Sequence, residues 1–162
     1  MKNLIVVAIA LSLLSACGKQ DATPPAPSGS DAPSGPRPDK MSNGEPAVIT
    51  VEHVLIAFQG TGTKATRSKE EARKLAYEVL NRAKSGEDFT KLRKELSDDS
   101  PDGGVYTLVN NGVAKQGSEF ERTGMVPAFG DVGFTLNVNE IGLAEHDPQK
   151  SPYGWHIIKR IK

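Results

Sequence analysis

The sequence predicts an α+β domain built on a four-stranded, mainly antiparallel sheet, and three observations carry that class. Residues 48–58 place apolar and β-branched side chains on both faces of a strand alternation. Residues 68–96 hold two segments whose apolar positions recur at helical spacing, and residues 141–144 and 155–161 are short apolar runs joined by a loop with two prolines. One strand, then helices, then strands close together in the chain fit segregated α+β rather than alternating βαβ units.

In chain order, the first strand carries Val51, His53 and Leu55 on one face and Val54, Ile56 and Phe58 on the other, the pattern of a central strand buried on both sides. A Gly- and Thr-rich loop follows over 59–67. Ser68 opens a helix, with Glu71 at the capping-box position, Ala72, Leu75, Ala76, Val79, Leu80 and Ala83 at helical spacing, and Gly86 as its stop. A short amphipathic helix presents Phe89, Leu92 and Leu96. The polar break 97–104 leads to a short strand over 105–109. Residues 110–124 read as loop, because they contain Asn-Asn-Gly and Gln-Gly-Ser turn signals. Residues 126–134 predict one or two helical turns before the last two strands.

The preceding third of the chain has a different character. Lys2 is followed by an uncharged apolar run over 4–14 and then by Leu14, Ser15, Ala16 and Cys17, the only cysteine of the 162 residues. The run is short for a permanent membrane span but suits the apolar region of a secretory signal. Its end resembles the lipobox of bacterial lipoproteins, which implies a signal peptide over 1–16 and a lipid on Cys17. Seven of the 11 prolines lie in 18–47, where Met41 is the only large apolar side chain. Such a stretch buries too little apolar surface to offset the entropy of ordering, so 17–47 is expected to be a Pro-rich tether and the folded domain to span 48–162.

Composition excludes several functions. The 20 basic and 20 acidic residues cancel, and they cancel separately on either side of Ala47, with four of each before it and sixteen of each after. A neutral domain has no long-range attraction for nucleic acid. A single cysteine excludes an intramolecular disulfide and a cysteine-based zinc site. His53, His146 and His156 are zinc-ligand types, but His146 falls in a proline-containing loop without carboxylates at metal-site spacing, so no metal or other cofactor is expected.

Candidate chemistry is concentrated in His53 on the first strand, His156 on the last, Asp98 and Asp99 in the turn after the second helix, and the apolar group Met125, Phe129 and Phe134. Singly, each is a common structural residue. Their order along the chain, with the phrases "EHVLI", "SKEEARKLAYEVLNRAKSGEDFTKLRKELSDDS", "GMVPAFGDVGFTL" and "SPYGWHIIKRI", resembles parvulin-type peptidyl-prolyl cis/trans isomerase domains over nearly the whole of 51–162. The resemblance implies the FKBP-like superfold with about four helices around the sheet. It also implies His53, Asp99 and His156 as active-site residues, Met125, Phe129 and Phe134 as the proline pocket, and Ser151 as a hydroxyl supporting the histidine pair. The implied partners are proline-containing, unfolded or partly folded exported polypeptides. The implied location is the cell envelope, at the outer membrane facing the periplasm because Gly18 rather than Asp follows the cysteine, or else at the outer face of the cytoplasmic membrane.

Two departures from the family pattern stand out. Val105, Tyr106 and Thr107 follow Gly103-Gly104 where the family usually has Asp-Leu-Gly, and 110–123 is longer than the usual turn. Both motivate a second reading, a parvulin-fold peptide-binding module or holdase with little turnover. Lys64 and Arg67 lie where phosphate-selective parvulins carry a basic cluster, but two charges in a loop do not imply phospho-substrates.

Overall fold

The structure, a computed structural model, describes residues 36–100 and 103–162. The signal, Cys17 and most of the expected tether lie outside the described residues. The elements are β1 (Val48–Ile56), α1 (Lys69–Lys84), α2 (Phe89–Leu96), β2 (Val105–Val109), β3 (Phe120–Glu121), a 3₁₀ turn (Arg122–Gly124), α3 (Pro127–Thr135), β4 (Ile141–Ala144) and β5 (Trp155–Arg160).

The sheet order is β3-β2-β1-β5-β4, which makes β1 the central strand. Its neighbours β2 and β5 are antiparallel to it, and β4 is antiparallel to β5. Two features correct the sequence expectation. The sheet is mixed and five-stranded, because Phe120 and Glu121 pair parallel with Leu108 and Val109. Two residues inside a polar, glycine-containing stretch carry no periodic signal that separates a strand from a loop. The α-helices among the described residues number three rather than four. Between β3 and α3 the chain makes only a single 3₁₀ turn, because Gly124 ends it and Pro127 starts the next helix at its first position.

The alternation read from β1 sorts the core into two layers. Val54 and Ile56, with Trp155 and Ile157 of β5, face α1 and α2 through Ala72, Ala76, Val79, Phe89 and Leu92. Ile49 and Val51, with Leu108 and Ile158, face α3 through Phe129 and Phe134. α1 forms as its cap pattern requires: the Glu71 amide donates to Ser68 Oγ at 3.2 Å, and the Ser68 amide donates to Glu71 Oε2 at 2.7 Å.

Packing also extends N-terminal of Val48. Ala47 is fully buried, Lys40 and Pro46 form a bridge, and the Asn110 amide donates to the Ala47 carbonyl at 2.8 Å. Residues 39–47 therefore form a turn held against the domain, where the composition suggests only the end of a tether. Their contacts are mostly polar, which is why a search for apolar surface passes over them.

Candidate active site

His53 and His156 reach one another because of strand register. β1 and β5 pair His53 with Ile158 and Leu55 with His156, so the two histidines are diagonal neighbours on the face covered by α3. Their Nδ1 atoms are 3.2 Å apart and their rings stack at 5.3 Å. On its other side, His53 Nε2 lies 2.9 Å from Asp99 Oδ2. Asp99 sits in the turn after α2, which is fixed by Ser97 and Asp98. Ser97 Oγ accepts from the Leu55 amide at 3.0 Å, and Asp98 Oδ2 accepts from the Ala57 amide at 2.8 Å and from Arg67. Arg67 also donates to the Ala57 carbonyl at 2.8 Å, so it ties the loop after β1 to the turn.

Charge and tautomer follow from this network. Hydrogen bonding from His53 lowers the Asp99 pKa to about 2, with burial opposing and the Ser100 amide and Tyr106 hydroxyl assisting. Asp99 is thus a carboxylate with no proton to give, and His53 Nε2–H must donate to it. Burial, then the neighbouring His53, lowers the His156 pKa to about 3, so His156 is neutral at ordinary pH. The His156 Nδ1 atom shares its hydrogen bond with His53 Nδ1, and His156 Nε2 is buried without a hydrogen-bond partner.

The string ends in a cavity of 360 Å³ lined by His53, Asp99, Tyr106, Met125, Phe129 and His156, with Leu55, Val126 and Tyr153 among the remaining walls. Phe129, almost wholly buried, sets its edge against His53 at 5.0 Å and His156 at 5.5 Å. Tyr106 Oη donates to Asp99 Oδ2 at 2.9 Å, on the same oxygen that His53 uses. Asp99 Oδ1 accepts from the Ser100 amide at 2.8 Å, which leaves the carboxylate little rotational freedom. The result is a fixed negative charge at the mouth of an otherwise largely apolar pocket. A larger cleft of 560 Å³ lies elsewhere, lined by Glu52, Glu87, Asp88 and Lys159, but it does not contain the histidine pair or Asp99.

Matching a family model decides what this arrangement belongs to. The model for the PPIC-type PPIASE domain covers residues 39–161. This chain belongs to the PpiC-type peptidyl-prolyl isomerase family. Among curated proteins, Chaperone SurA of Chromohalobacter salexigens is 35% identical over 109 residues, covering 67% of this chain and 21% of that protein. Foldase protein PrsA of Caldanaerobacter subterraneus subsp. tengcongensis is 38% identical over 112 residues, with shares of 69% and 28%. Parvulin-like PPIase of Rickettsia conorii is 35% identical over 119 residues, with shares of 70% and 32%. The chain thus spans about a fifth to a third of the length of these relatives. The solution structure of TbPIN1 shares the fold, with a TM-score of 0.52 at 22% identity over 72% of this chain and 98% of that one.

Within this PpiC-type fold, His53, Asp99, His156, Met125 and Phe129 meet at one cavity. Phe134 and Ser151 do not line it. The Phe134 ring is core, with the Arg122 guanidinium 4.9 Å above it. Ser151 is fully buried, and its Oγ donates to the Gly154 carbonyl at 2.8 Å, which shapes the turn into β5. His146 packs on Phe58 at 5.0 Å and Trp155 at 5.3 Å, whose rings belong to the layer opposite the histidine pair. Sequence reading missed Tyr153, half exposed on the cavity rim, although its place beside Gly154 marks a turn side chain. It identified Tyr106 as a departure from the family's Asp-Leu-Gly but not as a donor to Asp99.

A buried neutral histidine makes stability depend on pH. Between pH 6.5 and about 3 the unfolded chain binds a proton at His156 that the folded chain refuses, so stability falls as pH falls through that window. The full effect is on the order of 5 kcal/mol, at most about 1.4 kcal/mol per pH unit. Urea melts between pH 6.5 and 4 should show a shallower slope for His156→Gln than for the parent, by close to one proton. Equal slopes would contradict the assigned protonation state.

Proposed function

We propose that the domain is a peptidyl-prolyl cis/trans isomerase acting on proline-containing, unfolded or partly folded exported polypeptides. In this reading Met125 and Phe129 receive the proline ring, and Asp99 faces the carbonyl of the preceding residue. His53 and His156 hold Asp99 ionised and in place. The observation that carries the reading is the ionised, immobilised Asp99 at the mouth of the apolar cavity.

The chemistry suits such a site because no bond to the substrate need form. Rotation about a prolyl amide is slow because resonance gives the C–N bond double-bond character, with a barrier of about 18–20 kcal/mol. That resonance places negative charge on the carbonyl oxygen of the planar form. A carboxylate near the oxygen raises the planar form more than the twisted one, in which conjugation is lost. Desolvation acts in the same direction, since the planar amide is the more dipolar and loses more on leaving water. A thousandfold acceleration requires only about 4 kcal/mol of preferential transition-state stabilisation.

For location, we infer a signal peptide over 1–16, a lipid on Cys17 and a tether leading to the domain. This would place the isomerase at the cell envelope, at the outer membrane facing the periplasm, or at the outer face of the cytoplasmic membrane. Relatives named chaperone and foldase support a role in folding. Uncatalysed prolyl isomerisation takes tens to hundreds of seconds, so a catalyst matters to chains folding after export.

A second reading, a holdase with little turnover, is favoured by Tyr106, whose hydroxyl donates to Asp99 Oδ2. Refolding of a protein limited by prolyl isomerisation separates the two. The isomerase reading expects substoichiometric amounts of the domain to shorten the slow phase. A holdase would suppress aggregation in stoichiometric amounts and leave the slow phase unchanged.

A further inference from the structure

We propose that residues 37–47 act as a strap that positions the proline pocket, holding the insertion 110–123 and, through Arg122, setting Met125. The proposal rests on the reading of the Met125–Phe129 cavity as the peptide site.

The insertion cannot hold itself. Of its side chains only Asn110 is buried, and its regular features are the two-residue strand β3 and the start of the 3₁₀ turn. Its one aromatic contact is the half-exposed Phe120 ring against Tyr106 at 5.4 Å, so much of its hold is polar, and many of those contacts come from the strap. The Arg37 guanidinium grips the Glu119 carboxylate with two prongs, at 2.5 and 2.9 Å. Asn110 Nδ2 donates to Glu45 Oε2 at 3.1 Å and to the Pro46 carbonyl at 3.0 Å. Two-pronged guanidinium–carboxylate pairs fix orientation as well as distance, which a lone lysine contact would not.

Arg122 carries this hold to the pocket. Its Nη1 donates to Glu45 Oε2 at 2.9 Å and to Asn110 Oδ1 at 3.1 Å, and its Nη2 donates to Asp131 of α3 at 3.0 Å. Its aliphatic stem crosses α3 at Gly130, where a Cβ would lie 2.9 Å from Arg122 Cγ. The Arg122 carbonyl accepts from the Met125 amide at 3.2 Å, closing the 3₁₀ turn that presents Met125 to the cavity. Strap, insertion, α3 and pocket wall thus meet at one side chain. A shift of the strap moves Met125 without touching His53, Asp99 or His156.

The test uses the lipidated protein from Cys17 onward in detergent, labelled with ¹³C-methyl methionine, which gives signals from Met41 and Met125. The Met125 signal is assigned by Met125→Leu. Arg37→Leu and Glu45→Gln are each expected to shift or broaden that signal in the peptide-free protein. Titration of an Ala-Pro peptide should then show affinity weakened about three- to tenfold, with kcat within about twofold of the parent, the signature of a displaced binding wall. Arg37→Lys should recover part of the affinity. Glu78→Gln, which removes an exposed partner of Arg82 on α1, should change neither readout. An unchanged Met125 signal in both strap variants would overturn the proposal, as would an affinity loss matched by the unfolded fraction seen by circular dichroism. If the parent itself binds no prolyl peptide, the reading of the cavity fails, and the peptide-free Met125 signal still decides whether the strap sets the wall.

Discussion

Gly154→Ala is expected to lower the unfolding free energy by about 4 kcal/mol or more, a large share of the ~5–15 kcal/mol that holds a typical domain together. Gly154 has φ of 141°, and a Cβ there would lie 2.2 Å from the Ile56 carbonyl oxygen and 2.9 Å from its carbon. The obstacle is backbone in the central strand, so no rotamer change relieves it. Either β5 must move away from β1, breaking the register that brings His53 to His156, or the turn must rebuild. Gly86 supplies the control. It also has positive φ, 94°, but a Cβ there meets nothing within 4 Å, so Gly86→Ala should cost only about 1 kcal/mol of conformational strain. Urea denaturation of both variants checks the comparison, and equal midpoints would mean that the close approach of Gly154 to Ile56 does not exist in solution.

Asp99→Ala should reduce kcat/KM for a prolyl peptide by about 10- to 100-fold, corresponding to about 1.4–2.7 kcal/mol of lost transition-state preference. The same change removes the acceptor for His53 Nε2–H and for the Tyr106 hydroxyl. Leaving these donors unpaired costs about 1–3 kcal/mol where water is excluded, and less here because the Asp99 side chain is 25% exposed and water can enter. The variant should therefore remain folded while catalysing poorly. Asp99→Asn keeps an acceptor and most of the shape but loses the charge. An activity near that of Asp99→Ala would assign the effect to charge, whereas near-parent activity would assign it to shape. His53→Ala and His156→Ala open space in the core beside Phe129 and should mainly lower stability, as measured in the same urea series.

What the sequence makes legible follows periodicity. The two-sided alternation of β1, the capping box of α1 and the apolar stripe of α2 are local patterns set by burial, and the structure has each of them. The pairing of His53 with His156 follows from strand register once the resemblance places them on neighbouring strands. Features made by single polar contacts are not legible in this way. β3 rests on two residues, the strap rests on Arg37 and Glu45, and Tyr106 is only a departure from the family's Asp-Leu-Gly until its hydroxyl is found on Asp99. Phe134 and Ser151 show the converse: the resemblance implies pocket and histidine contacts, whereas in this chain the ring is core beneath Arg122 and the hydroxyl serves the turn at Gly154.

Magnetisation-exchange NMR on an Ala-Pro peptide, with the parent and Asp99→Ala side by side, tests the central claim most directly. The expected result is cis–trans exchange cross-peaks with the parent at substoichiometric concentration, strongly reduced with Asp99→Ala although peptide shifts show that the variant still binds. Binding by the parent without exchange faster than in free solution would contradict the account, and so would an Asp99→Ala variant as fast as the parent.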